Sequence, residues 1–417
     1  MFDMISIGGE DFPLVQGFEN FQEQLLRFFP NEKEALKHYI ETLQKISSSF
    51  PLYNLQIPGN HNEMDYRSQS AFDFFTNISN KQLASRQKPE ARSQKPTLSS
   101  ILSGNNFLYD GQKDFTPLHI PALINHSFIS SSWRPRNGSG QIASALVNNL
   151  EAMGGRLYSS TSVHSVIKEG ERFTVSSLNG EKFISSKVIA ATHPNIALSF
   201  LDQGELRKVY TDRIRNLPNT NGAFSVYIVP KPETFKYLDY NVYYHKEMDV
   251  WKDVDSDRWP SSYLLITPDP DKSAIFAKSL VLMTRMPGAM TEKWNDSITG
   301  KRDSSYYAFK KEMADRLLDL AEIKFPGLRN CIGFMETSTP LTWRDYTGTP
   351  GGAMYGIRKD YNSPLKSEIL PRTRIPGFLL TGQSVNLHGM MGVTTGAVLT
   401  CCEILGAKYL INQIQHG

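Results

Sequence analysis

Cysteine is nearly missing from the sequence, with only Cys331, Cys401 and Cys402 present. That number and spacing exclude a disulfide framework and a cysteine-based zinc site. Cys401 and Cys402 fall on an expected helix and point to different faces, which suits small core residues. The usage fits a reducing compartment. Long hydrophobic runs are missing too. No stretch reaches the ~18 apolar residues that a membrane span needs. Met1 to Asp11 has neither a basic n-region nor an apolar core, so it does not read as a signal peptide. Charge is balanced, with 45 Lys and Arg against 42 Asp and Glu. No basic patch with interleaved aromatics stands out, so nucleic acid is not a partner. No nucleophile triad, zinc spacing or carboxylate pair appears. His119 and His126 have no third ligand near them in sequence, which argues against a metal.

What is present is a chain of 417 residues, enough for two domains and a large core. Hydrophobic residues make up 40 % and the mean hydropathy is −0.36, values of a soluble globular protein. The most informative stretch lies near the far end. Ile375 to Leu380 reads as a short buried strand, opened by Pro376-Gly377 and closed by Thr381-Gly382. Gly389 and Gly392 free the backbone to turn. The following helix has one small face: Gly392, Thr395, Gly396 and Thr400. Such a helix can approach a ligand closely, and its N-terminus offers unpaired N–H groups. On geometry alone the stretch reads first as an ordinary strand–turn–helix of an α/β core.

A second block begins at Arg134. Gly138-Ser-Gly140 leads into a helix with Ile142, Leu146, Leu150 and Met153 on one face, and Gly154-Gly155 ends it. A strand is expected from Leu157 and another over Val163 to Ile167. Phe173 to Ser177 and Lys182 to Ile184 flank Asn179-Gly180, a hairpin signal. Lys187 to His193 reads as a further buried strand. The order is that of a doubly wound domain with an antiparallel insertion.

Elsewhere, Phe18, Phe21, Leu25 and Phe28 recur at helical spacing. A second helix is expected from Asn31, with Glu34 completing a capping box and Leu36, Ile40 and Leu43 as its apolar face. The polar 79–99 stretch reads as a long surface loop. Strands are expected over Ala223–Val229, Asn241–Tyr244, Tyr263–Thr267 and Ser279–Thr284, with a tight loop at Thr267 to Asp271. An amphipathic helix is expected over Tyr306–Leu320, followed by a strand through Ile332, Phe334 and Glu336.

The two informative stretches, in this order, resemble the phytoene desaturase, carotenoid isomerase and retinol saturase group of FAD-dependent oxidoreductases. Thr339 to Thr347, Pro350-Gly-Gly352 and Tyr355-Gly356 resemble further steps of that group. The resemblance runs, with gaps, from about Asp11 to Leu410. It implies an α/β fold: an FAD-linked, partial doubly wound nucleotide-binding domain and a mixed-sheet substrate domain. The implied divisions are a helical and substrate-cleft segment over 1–130, a partial FAD-binding domain over 131–204, the substrate domain over 205–345 and a return to the FAD-binding domain over 346–417. Implied FAD neighbours are Val163 at the adenine, Thr192 at the end of the next strand, and Thr381, Gly382, Gln383, Gly392 and Val393 at the flavin. The implied substrate is an apolar polyene, carotenoid- or retinoid-like, undergoing saturation, desaturation or isomerisation. A cytoplasmic location, or one peripheral to a membrane with contact to its surface, goes with that substrate.

One departure is large. The Gly-x-Gly-x-x-Gly turn of an FAD-binding Rossmann domain is missing, as is the acidic residue about 20 positions on. Gly8-Gly9 lacks the strand–turn–helix frame. The expectation is a truncated copy, a late start, or a separate FAD-binding polypeptide. The alternative function is therefore a non-catalytic remnant or subunit. No residue is assigned as catalytic acid or base. His388 beside the flavin segment, and Glu336 and Asp345 near the cleft, are the polar candidates.

Overall fold

The computed structural model describes residues 1–57, 63–79, 95–136, 138–202, 204–252, 256–268 and 275–416. Most of the 79–99 stretch, Asn137 of the expected turn and the tip of the 267–271 loop lie outside the described residues. Leu98–Leu102 is a helix, so the expected loop ends earlier than 99.

The chain starts with strands β1 (Asp3–Ile7) and β2 (Glu10–Leu14), joined at Gly8-Gly9 into an antiparallel hairpin. Both glycines have positive φ, 64° and 81°, which a tight two-residue turn requires. Next come β3 (Val163–Glu169), β4 (Arg172–Ser177) and β5 (Lys182–Ser185), an antiparallel sheet of three. Strand β6 (Val188–Ala190) follows. Strands β7 (Gly222–Pro230), β8 (Asn241–His245), β9 (Ser262–Ile266), β10 (Leu280–Met286) and β11 (Ile332–Ser338) come next, and β12 (Phe378–Leu380) is last.

Two lobes result. The larger is built on a seven-stranded mixed sheet, ordered β11-β7-β10-β9-β8-β1-β2. Only β1 and β8 pair in parallel; the other neighbours are antiparallel. Successive strand side chains point to opposite faces, and both faces are apolar here. Tyr243 and Leu264 join Ile5 and Ile7 beneath the Phe18–Leu26, Lys33–Ser49 and His119–Ser130 helices. Val242, Tyr244 and Leu265 face the other way, against Met313, Leu317 and Leu320 of the Ser304–Lys324 helix. The first fourteen residues thus belong to the mixed sheet, which the division at 130 did not foresee.

The smaller lobe joins the three-stranded sheet to the parallel pair β6–β12, in register Phe378↔Val188, Leu379↔Ile189 and Leu380↔Ala190. Phe173, Phe378, Ile375 and Leu380 form its core. Three residues of the expected 375–380 strand, Phe378–Leu380, thus pair with three of the expected 187–193 strand. The expected strand from Leu157 is absent: Leu157 and Tyr158 are exposed and outside any strand, and Ser159 and Ser160 form a turn. The helix after Arg134 runs Gly140–Ala152, as its spacing predicts, but none of its residues is buried. Its Ile142, Leu146, Leu150 and Met153 stripe faces outward. The second N-terminal helix begins at Lys33, capped by Glu32 without a side-chain hydrogen bond, so the capping box at Asn31 does not form.

Candidate functional site

Between the lobes lies a cavity of about 1420 Å³. Its wall is mainly apolar, with Phe2, Leu108, Ile120, Leu123 and Phe128 from the larger lobe. Asn386 to Gly392, Thr395 and Leu399 close it from the C-terminal segment. The Gly389–Leu405 helix points its first turn at this space. Gly392 is buried there, and a Cβ would stand 2.6 Å from the Leu387 carbonyl carbon. Only glycine lets the helix start fold so tightly on the preceding turn.

His388 sits at this helix start. Its Nε2–H donates to the Leu108 carbonyl at 2.6 Å. Its ring packs on Tyr355, centroid to centroid 4.3 Å, and on Tyr109 at 5.1 Å. Burial pushes its pKa down to about 4, so the imidazole is neutral at pH 7. It lines the cavity as a fixed, uncharged ring. Glu336 and Asp345 do not come near. Glu336 pairs with Lys310 on the outer strand β11, and Asp345 pairs with Arg302 and Arg344. Neither lines the cavity, and β11 is the sheet edge opposite β1 and β2. His126 is engaged by Tyr53 and Ser47, and His119 stacks on Phe50.

Sequence reasoning missed the polar groups on the cavity wall. Asp3 is fully buried at the head of β1, with Oδ1 accepting from Asn241 Nδ2 at 2.8 Å. Asn241 Oδ1 accepts from Arg134 Nη2 at 2.6 Å, and Arg134 also donates to the Thr267 and Leu238 carbonyls. This chain fastens the 131–136 crossing to the sheet. Burial raises the Asp3 carboxyl to about 7, against the pull of Asn241 and Arg134. The signal in the sequence was an aspartate in phase with Ile5 and Ile7, at a core position of a strand. Arg67, paired with Glu63 and Glu368, stands elsewhere on the wall. A side chamber of about 70 Å³ adjoins it and holds Lys359, which donates to the Ser367 and Ser384 carbonyls and is lowered to about 8 by burial.

The expected FAD neighbours divide into groups. Thr381 follows β12, where its N–H donates to the Ala190 carbonyl at 3.0 Å. Gly382 has φ 103° and lies against Ala191. The register thus brings Thr381 and Gly382 beside the exposed Thr192, at the carboxyl ends of two parallel strands. Gln383 donates to the Met354 carbonyl at 3.3 Å. Gly392 lines the cavity and Val393 is exposed on the same helix. Val163 stands apart, opening β3 at the edge of the antiparallel sheet.

These residues fit the flavin end of a dinucleotide. The Thr381 hydroxyl is buried without a partner. The following helix starts with backbone N–H groups beside an open cavity, as ligand carbonyl or anionic groups require. For the pyrophosphate the sequence offers no Gly-x-Gly-x-x-Gly turn.

Parallel strand ends, a helix start marked by Gly389 and Gly392 and an apolar inter-lobe cavity suit a flavin-dependent oxidoreductase. The sequence matches the family described as flavin containing amine oxidoreductase over residues 14–405, and the chain belongs to that family. Its cofactor is FAD. The chain is 23 % identical to an all-trans-retinol 13,14-reductase of Rattus norvegicus, over 97 % of this chain and 72 % of that protein. It is 24 % identical to prolycopene isomerase 1, chloroplastic, of an Oncidium hybrid cultivar, over 88 % of this chain and 62 % of the relative. The cyclohexylamine oxidase of Brevibacterium oxydans shares the fold, with TM-score 0.53 at 11 % identity over 99 % of this chain and 81 % of the other. Among the described residues no helix is long and apolar enough to cross a membrane.

Proposed function

We propose that the chain acts on carbon–carbon double bonds of an apolar polyene, by saturation, desaturation or isomerisation. The observation that carries this reading is the cavity. At about 1420 Å³ it exceeds the roughly 300–1,000 Å³ of common ligand pockets. That leaves room for a flavin ring and an elongated hydrocarbon together. The retinoid and carotenoid relatives support the same substrate class.

When bound, FAD supplies the redox chemistry. In this reading Thr381, Gly382, Gln383, Gly392 and Val393 hold its flavin end, while Val163 and Thr192 serve the rest of the cofactor. The chain's own work is positioning and exclusion of water. Phe2, Leu123 and Phe128 give the polyene an apolar wall, and the neutral His388 adds no competing charge. Trp133, 83 % exposed, and Met390 and Met391 line the cavity and reach solvent. We assign to them the contact with a membrane surface that delivers the substrate. The bare stripe on the Gly140–Ala152 helix and the exposed Ile189 of β6 are where a dinucleotide-binding unit packs, bringing the missing glycine turn.

The test is direct binding. A C20 or C40 polyene mixed with the chain should co-elute on gel filtration at one per chain. Leu108→Arg, which puts a charge on the cavity wall, should abolish it. A chain that carries neither polyene overturns the reading.

A further inference from the structure

A hydroxyl on the cavity wall is backed by a histidine. The Pro51–Asn54 turn packs against the Gly389–Leu405 helix, whose start forms the flavin end, and sets Tyr53 on the wall. Tyr53 is half-buried, and its hydroxyl lies beside Leu123, a further wall residue, whose carbonyl is 3.4 Å away. Its Oη is 2.9 Å from Nδ1 of His126. His126 is not a wall residue; its Nε2 is 3.2 Å from Ser47 Oγ, and its ring packs on Phe18. Ser47 Oγ also donates to the Gln44 carbonyl at 2.9 Å. Both tautomers of the ring are therefore satisfied. With Nε2 protonated, the ring donates to Ser47 and Tyr53 donates to Nδ1. With Nδ1 protonated, the ring donates to Tyr53 Oη and Ser47 donates to Nε2. In this second state the phenol proton has only the distant Leu123 carbonyl, at the limit of a hydrogen bond, and is free to turn to a group in the cavity. Two other wall donors are spent, His388 on the Leu108 carbonyl and Tyr355 on the Phe107 carbonyl at 2.8 Å.

We propose that Tyr53 is a catalytic residue, its phenol giving a proton to a carbon of the bound polyene as a double bond is saturated, and that His126 is its positioning residue. This rests on the polyene reading above. Saturation adds a hydride to one carbon and a proton to the next. The hydride comes with its electron pair from the reduced flavin, which is thereby oxidised. The π pair is left on the neighbouring carbon and forms the new C–H bond with the Tyr53 proton as the O–H bond breaks. The phenoxide then lies against Nδ1–H of His126, and water returns a proton to it after turnover. Burial raises the Tyr53 hydroxyl to about 12 and lowers His126, so at pH 7 the phenol holds its proton and the ring is neutral. A phenol is acid enough for this step, because a polyene carbanion is far more basic than a phenoxide.

The test uses the full chain, saturated with FAD, reduced with dithionite and mixed with an all-trans C20 polyene. Single-turnover rates of saturation and polyene dissociation constants are measured for the unaltered protein, Tyr53→Phe, His126→Leu and His126→Asn. General acid catalysis contributes roughly 100-fold or more. Tyr53→Phe should therefore saturate the polyene about 100-fold more slowly while binding it within about twofold of the unaltered affinity. The retained affinity also shows that the variant is folded. His126→Leu, which removes the hydrogen bond to the phenoxide, should be about tenfold slower. His126→Asn, whose side-chain N–H stands near the place of Nδ1, should recover most of that loss. A merely structural role weakens polyene binding and is not restored by Asn. An unaltered rate in Tyr53→Phe, a loss in Tyr53→Phe carried wholly by polyene affinity, or equal losses in the two His126 variants overturns the assignment. If the unaltered chain binds the polyene and only isomerises it, this assignment alone falls. If the unaltered chain binds no polyene, the polyene reading itself falls, and this assignment with it.

Discussion

Replacing Asp3 by Asn should make the protein more stable, and the gain should grow with pH. In the folded chain the carboxyl is raised from 3.8 to about 7, chiefly because burial disfavours its charge. The folded state therefore holds a proton that the unfolded state has released. Stability from this group is complete below about pH 4 and is lost as pH rises through 7. At about 1.4 kcal/mol per pH unit, the full loss is on the order of 4 kcal/mol. The amide of Asp3→Asn keeps the acceptor for Asn241 and never ionises. A chain of 417 residues has an unfolding entropy of roughly 0.9 kcal/mol/K. The Asp3→Asn variant and the unaltered protein should thus melt within about 1 °C of each other at pH 4.5. At pH 8 the variant should melt about 4–5 °C higher. Differential scanning calorimetry across this range reads the difference, and other titrating groups cancel between the two proteins. A difference that stays constant with pH, or shrinks as pH rises, would refute the argument that Asp3 is buried and costly to ionise.

Other outcomes follow from particular contacts. Gly352 has φ 67°, and a Cβ there would lie 1.8 Å from the Pro340 carbonyl oxygen; Gly352→Ala should lose about 3 kcal/mol or more, read by urea denaturation. Leu146→Glu, at a position 67 % exposed, should change the stability of the chain alone by less than about 0.5 kcal/mol. Loss of several kcal/mol would mean the stripe is covered within this chain. The chain alone should retain FAD at well under one equivalent through gel filtration, because no glycine turn holds the pyrophosphate. Stoichiometric yellow protein would show that other residues do that work.

The fold was legible wherever a strand or helix followed its own period. Val242, Tyr243 and Tyr244 have β-branched and aromatic strand composition, and the Gly140–Ala152 helix ends at Gly154-Gly155 as its spacing implies. The strand at Leu157 was misread because Leu157-Tyr158 has strand composition without a partner edge, and pairing is not a local property. The opening hairpin was overlooked although Met4-Ile5-Ser6-Ile7 and Glu10 to Leu14 flank two glycines. Two adjacent glycines between two short apolar-alternating runs, with no helix following, mark a hairpin turn rather than a nucleotide-binding one. For the site, Gly392 and His388 were found through the motif they lie in. Asp3 and Arg134 were not, since their meeting through Asn241 spans 238 and 107 positions of the sequence. Glu336 and Asp345 were near the cleft only in sequence order.

The most direct measurement is turnover of a polyene by the FAD-loaded chain. The protein is held at FAD concentrations that saturate it, reduced and then oxidised in separate reactions, with an all-trans C20 polyene alcohol present. Chromatography reads chain saturation and isomer composition, and absorbance reads the length of conjugation. The expected result is an FAD-dependent change in the polyene, in at least one redox state, that Leu108→Arg removes. A polyene left unaltered in both states, with flavin and polyene shown to be bound, would contradict it.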